Sequence, residues 1–219
     1  STSYEAQAIR QGLETNVKPL GVAGLIKTSD NFFVFGLRTG VAKGGYLCNA
    51  PAGHCGPGQP GQNVLNAGFM EELETELGII ESEIFDVKIL GFQTDPDFSR
   101  AVNVVISTET NLTFNEIKRR HTVGQRAYRA AIQSGLAYSR AIDRLKKDGV
   151  LNIDSHEHDL LVAIPVNTNV ISNIVETQFF NYKLENNKKA SYVNGPVMDI
   201  TKGSLMMYLS QLDRSKNEK

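Results

Sequence analysis

The sequence predicts a soluble, single-domain α/β protein, and three observations predict it. Strand-like and helix-like patterns alternate along the chain instead of segregating into separate halves. A glycine-rich stretch leads from one strand-like run directly into a helical run. At 219 residues, with 41% hydrophobic and 21% charged residues, the chain can bury a substantial core without disulfides or a structural metal.

In chain order, YEAQAIRQGL reads as a short helix with Ala6, Ile9 and Leu13 roughly on one side. Leu20 to Lys27 and Phe32 to Leu37 read as a hairpin, with Thr28-Ser29-Asp30-Asn31 as its turn. GGYLCNAPAGH gives a third strand ending at Pro51, and the segment from Gly53 to Gly61 gives a tight loop. A helix is expected from about Gln62 or Asn63 to Gly78, a natural C-cap position. EIFDVKILGFQ and AVNVVISTE are strands separated by the turn-rich TDPDFSR.

Phe114 to Lys147 has a helical pattern, with breaks expected at Gly124 and Gly135. DLLVAIPV has the look of a buried strand. SNIVETQFFNYKL fits helix and strand equally well. DITKGSLMMYLSQL is an amphipathic C-terminal helix, and DRSKNEK a frayed tail.

The formal net charge of −1 points to neither nucleic acid nor a membrane surface. Cys48 and Cys55 form neither a disulfide framework nor a familiar zinc pattern, so a reducing cytoplasm is expected. STSYEAQAIR lacks the apolar core of a signal peptide, and no apolar run approaches the roughly 18–20 residues that span a bilayer.

Chemistry concentrates in GFMEELETELGII, where Glu71, Glu72, Glu74 and Glu76 crowd one short helix before Gly78. Glu72 and Glu76 are four apart and share a helix face, which suits the hard oxygen coordination of Mg²⁺. A metal would relieve their repulsion. A solvated acidic face is the alternative.

PAGHCGPGQ…MEELETELGI resembles the signature of the Nudix hydrolases. Gly53 takes the first glycine of that signature, Glu72 the central glutamate, Leu73 the apolar position, and Glu76 the second of its glutamate pair. Gly78 and Ile79 close it. Gln59, Glu71 and Thr75 replace a Glu, an Arg and a Glu, and the spacer before Glu71 is longer than the usual one. The opening hairpin, YLCNAPAGH and SHEHDLLVAIPV are similar to the family's flanking strands.

The resemblance implies a Nudix-type α/β/α sandwich around a mixed β-sheet, with a helical insertion at about 111–153. It implies a hydrolase that cleaves the diphosphate of a nucleoside diphosphate derivative with Mg²⁺ or Mn²⁺, a nucleotide sugar or dinucleotide-like substrate being favoured. Glu72 and Glu76 are the implied catalytic and metal-binding carboxylates. Ala52 and Gly53 would add backbone ligation, Glu157 a further carboxylate, and Thr75 at most a hold on metal-bound water. Arg38 and Arg100 are the implied phosphate-binding residues. The alternative is an inactive Nudix-fold module that binds a nucleotide or RNA end, which the changes at Thr75 and Gln59 favour.

His156, Glu157, His158 and Asp159 read as solvated residues at a strand entry in preference to a zinc site. His54 reads as a loop-packing histidine, and Cys48 as a small buried hydrophobe. From Lys118 to Lys147 only Asp143 opposes a run of basic residues. A nucleic-acid surface is not favoured there, and a position beside the pocket, where an insertion can select substrate, is expected. The expected partner is a nucleotide-type small molecule. A membrane is not expected, and a homodimer stays open.

Overall fold

The computed structural model describes residues 20–38, 45–56, 63–94, 102–150, 152, 157–186 and 189–217. Its centre is a seven-stranded mixed sheet. Strand β1 (Leu20–Lys27) turns through Asn31, at φ 66°, into antiparallel β2 (Phe32–Arg38). Strand β3 (Leu47–Asn49) pairs with β2, and β4 (Ala52–His54) returns to pair with the first half of β1. The third strand thus stops before Pro51 as expected, but the loop expected from Gly53 begins as a further strand, which fixes Gly53 opposite Val22.

Helix α1 (Val64–Glu72) starts where the sequence places it, with the Asn63 side chain accepting from the backbone N–H of Asn66. Its last turn, Leu73–Leu77, widens into a π-helix, and Gly78 ends it in the left-handed region at φ 69°. Phe69, Leu73, Leu77 and Ile79 are buried from this segment against Val22, Ile26, Val104 and Ile106 of the sheet.

Strands β5 (Ile84–Thr94) and β6 (Val102–Thr110) follow, β6 lying parallel to β1 and β5 forming the sheet edge. Helix α2 (Phe114–Gln133) begins at a Thr113–Glu116 capping box. It runs unbroken through Gly124, and the chain turns at Gly135, φ 83°, before α3 (Tyr138–Lys147). Phe114 and Ile117 belong to the same core cluster as α1. The first half of the expected insertion is thus a wall of the main core.

Strand β7 (His158–Pro165) pairs with β2. The ambiguous SNIVETQFFNYKL is both structures in succession. Helix α4 (Thr168–Thr177) ends at Gln178, φ 57°, and β8 (Phe179–Asn186) forms a separate hairpin with β9 (Lys189–Pro196), which the sequence pattern did not predict. Helix α5 (Asp199–Asn217) extends through most of the tail expected to fray. Ile171 and Ile174 of α4 and Leu205 of α5 cover the opposite sheet face, over Leu25, Phe33 and Phe35. With α1 and α2 on one face and α4 and α5 on the other, the architecture is the expected α/β/α sandwich around a mixed sheet.

The expected N-terminal helix, the TDPDFSR turn, Gln59, Arg100 and His156 lie outside the described residues. Among the described residues, no helix is long and apolar enough to cross a membrane.

Candidate active site

The β4–β1 pairing and the α1 seat bring Gly53 and Glu72 together. A Cβ at Gly53 would overlap the Glu72 carboxylate, so the close approach of that side chain to the backbone depends on glycine. Both residues line a cavity of about 430 Å³ together with Ala52, Arg38 from the end of β2, and Glu157 just ahead of β7. His54, Asn103 and an apolar wall of Val22, Met198 and Ile200 complete it. The structure therefore collects Arg38, Ala52, Gly53, Glu72 and Glu157, from four separate stretches of the chain, in one pocket. His54 is exposed at this pocket and does not pack into a loop interior as expected.

Glu76 departs from the expectation that it would share the cleft with Glu72. It is 1% exposed and is not among the residues lining the cavity. One carboxylate oxygen, Oε2, lies 3.1 Å from His158 Nε2, and Oε1 accepts from the backbone N–H of Ala52 at 3.5 Å. The widened turn at Leu73–Leu77 starts directly after Glu72 and contains Glu76, where the four-residue spacing assumed a regular α-helix. Glu72 approaches the Ala52–Gly53 backbone from the pocket, and Glu76 reaches it from the core.

His158 is also a correction. It is 3% exposed, not a solvated strand-entry residue. Its Nδ1 lies 3.6 Å from Cys48 Sγ, and the Cys48 thiol, buried as expected, donates to the Gly36 carbonyl at 3.3 Å. A Cβ at Gly36 would overlap the imidazole. From α2, the His121 ring stacks near it at a centroid distance of 6.5 Å, and the Gln125 amide donates to the His158 carbonyl. Burial alone would lower the His158 pKa, but Cys48 and Glu157 outweigh it and hold the imidazole above its ordinary range. Near the pocket, burial and then the negative charge of Glu72 push the Cys55 thiol up.

Among the described residues no group of three or more His, Cys, Asp or Glu is poised around one metal position. Glu72 and Glu157, together with Ala52 and Gly53, nevertheless line one cavity, and carboxylates are hard oxygen donors. Mg²⁺ characteristically takes one or two protein carboxylates and completes its shell with water and substrate phosphate. The residues present fit that kind of ion. None of the described lining residues comes from the basic segment 114–147, whose Arg126 and Arg129 are exposed on α2. The sequence reading missed Asn103, a polar residue inside an otherwise apolar strand pattern.

No protein-family model matches the chain, and no curated protein matches it. Solved structures do align with it. A mutT/nudix family protein from Listeria innocua is 10% identical, with a TM-score of 0.47, over 94% of this chain and 100% of that one. A NUDIX family hydrolase from Clostridium perfringens is 9% identical, with a TM-score of 0.44, over 90% and 99% of the two chains. DR0079 from Deinococcus radiodurans is 13% identical, with a TM-score of 0.34, over 46% of this chain, and the match spans 62% of that protein's length. The first two bear the name of the family that residues 53–79 resemble.

Proposed function

We propose that this chain is a Nudix-type pyrophosphohydrolase that cleaves the diphosphate of a nucleoside diphosphate derivative. The observation that carries the reading is the Glu72 carboxylate held against Gly53 in a pocket that also presents Arg38 and Glu157. Glu72, Glu157 and the Ala52–Gly53 carbonyls would hold Mg²⁺ or Mn²⁺. Such an ion, when bound, neutralises diphosphate charge and makes a water more acidic. Arg38, which lines the pocket, is the proposed phosphate-binding residue, with Arg100 proposed to assist. Glu72 is the proposed acceptor of the water proton as the water oxygen bonds to phosphorus and the bridging P–O bond breaks. Val22, Met198 and Ile200 offer an apolar wall to the non-phosphate part of the ligand. Glu76 remains a proposed ligand only if it exchanges His158 for the ion.

A second reading has its own observation. Glu76 is committed to His158 inside the core, which favours a module that binds a nucleotide without cleaving it. A hydrolysis screen with Mg²⁺ or Mn²⁺ over nucleotide sugars, dinucleotides and nucleoside triphosphates, paired with calorimetric binding, separates the two. Cleavage that disappears in Glu72→Gln supports the enzyme. Tight binding of the same compounds with no product supports the module. Neither binding nor cleavage removes both.

A further inference from the structure

We infer that Asn103 is a ligand-contacting residue of this pocket, its side-chain amide donating a hydrogen bond to a non-bridging phosphate oxygen of the bound nucleotide; this rests on the nucleotide reading above. Asn103 sits on β6, inside a run whose neighbours Val104, Val105 and Ile106 are core residues. It is itself only 9% exposed, yet it lines the cavity. No hydrogen bond of its side chain is found among the described residues. Gln93, its cross-strand partner, donates its own amide to the Asp199 carbonyl at 2.9 Å instead. Asn103 is not among the residues with a sealed, unpartnered side-chain atom, so its amide keeps an opening to the cavity, and a donor that reaches a cavity is available to a ligand that enters it.

The orientation is set by Gly21, which pairs with Asn103 across the parallel β1–β6 ladder. A Cβ at Gly21 would overlap Asn103 Oδ1 and lie 3.1 Å from the Gly53 carbonyl oxygen. Oδ1 therefore packs over the bare Cα of Gly21, which leaves Nδ2 for the pocket. The same contact puts the amide beside Gly53, and hence beside the Glu72 carboxylate that closes over Gly53.

The charges around it select the ligand group. Glu72 and Glu157 both line this cavity, and among its described lining residues Arg38 is the only Lys or Arg. An anionic diphosphate entering between two carboxylates needs donors that add no negative charge. Asn103 is a neutral donor built into the floor, where a carboxylate of the same shape would repel the ligand.

The test uses the full chain and two non-hydrolysable probes, adenosine and uridine 5′-(α,β-methylene)diphosphate, titrated calorimetrically in EDTA and again in Mg²⁺. Asn103→Asp keeps the shape and replaces the donor with an acceptor, and is expected to weaken binding by about 10- to 100-fold. Asn103→Ala is expected to weaken it by about 10-fold. Asn103→Ala should melt within a few degrees of the wild type, whereas Asn103→Asp, which adds a carboxylate beside Glu72 at a nearly buried position, should melt lower. If Asn103→Asp does not fold, the alanine variant carries the test. The inference is overturned if the folded variants bind like the wild type while Arg38→Ala binds more weakly. A wild-type protein that binds neither probe would instead overturn the nucleotide reading, and this inference with it.

Discussion

Glu76 and His158, 82 positions apart in the chain, meet at 3.1 Å with both side chains almost fully buried. The pair ties the end of the acidic helix to the start of β7 behind the pocket floor. Removing one partner takes the side-chain contact at 3.1 Å from a buried polar or charged group, which costs up to about 3–5 kcal/mol in comparable buried pairs. His158→Ala should therefore destabilise the fold by up to about that amount in urea unfolding. His158→Gln, which keeps a donor, should cost less. Replacing both partners with apolar residues of similar volume should recover much of the loss, a pattern that a purely catalytic Glu76 would not produce.

The stop of the same helix at Gly78 is fixed from α2. Arg120 donates to both carboxylate oxygens of Glu83 at 2.7 Å and to the Gly78 carbonyl at 2.6 Å. The Arg120 hydrogen bonds hold the Glu83 carboxyl below the usual range, against the opposing effect of its partial burial. A depressed folded pKa contributes stability above the unfolded value of about 4.3, and that contribution is lost as pH falls through the lower folded value. Unfolding free energy measured from pH 6 down toward ~pH 3 should therefore decline in part through this group. Glu83→Gln should be less stable than the wild type at the neutral end, with the gap closing as the pH falls. A constant gap across the range would show that the Arg120 contact stabilises both protonation states equally.

Much of this scaffold is written locally. The turn at Asn31, the cap at Asn63, the glycine stop at Gly78 and the apolar β7 run each depend on nearby residues, so sequence pattern predicted them. The pocket was legible in part for the same reason, because Gly53 and Glu72 belong to one continuous motif. The separation of Glu76 from Glu72 was not. It depends on a π-turn that periodicity does not reveal, and on a histidine delivered by β7. His158 looked solvated at the edge of a strand because its burial requires Gly36, Cys48 and His121 from three other elements. Asn103 was hidden in the same way, its meaning fixed by Gly21 across the ladder.

Metal should distinguish the two carboxylates. If Glu72 and Glu157 take Mg²⁺ or Mn²⁺, the ion binds the folded state preferentially and stabilises it by about 2.7 kcal/mol at a concentration 100 times its Kd. Millimolar Mn²⁺ should raise the melting temperature of the wild type and of Glu71→Gln, whose side chain is exposed. Glu72→Gln should lose the rise while keeping its metal-free melting temperature. Glu76→Gln should lower the metal-free melting temperature, because the change falls on the buried His158 pair. A rise that survives Glu72→Gln would remove that residue from the ligand set.

Gly53→Ala separates the site from the fold. The added methyl would fall on the Glu72 carboxylate, the far end of a flexible and only partly buried side chain, and not on backbone. The side chain can swing away, so the stability cost should stay below about 1.5 kcal/mol, far less than that of a buried clash. The position of the carboxylate cannot survive, because the space beside the Ala52–Gly53 backbone is where the methyl goes. If Glu72 is the proton acceptor or a ligand, its displacement should cost tenfold in turnover for each ~1.4 kcal/mol of lost transition-state stabilisation. The expected result is a variant that melts within a few degrees of the wild type, has lost the stabilisation by Mn²⁺, and turns over at least about tenfold more slowly. Adding Glu72→Gln should then lower turnover little further, since both changes remove the same group from the same place. Full activity in Gly53→Ala would mean that the close approach of Glu72 to Gly53 has no part in the chemistry.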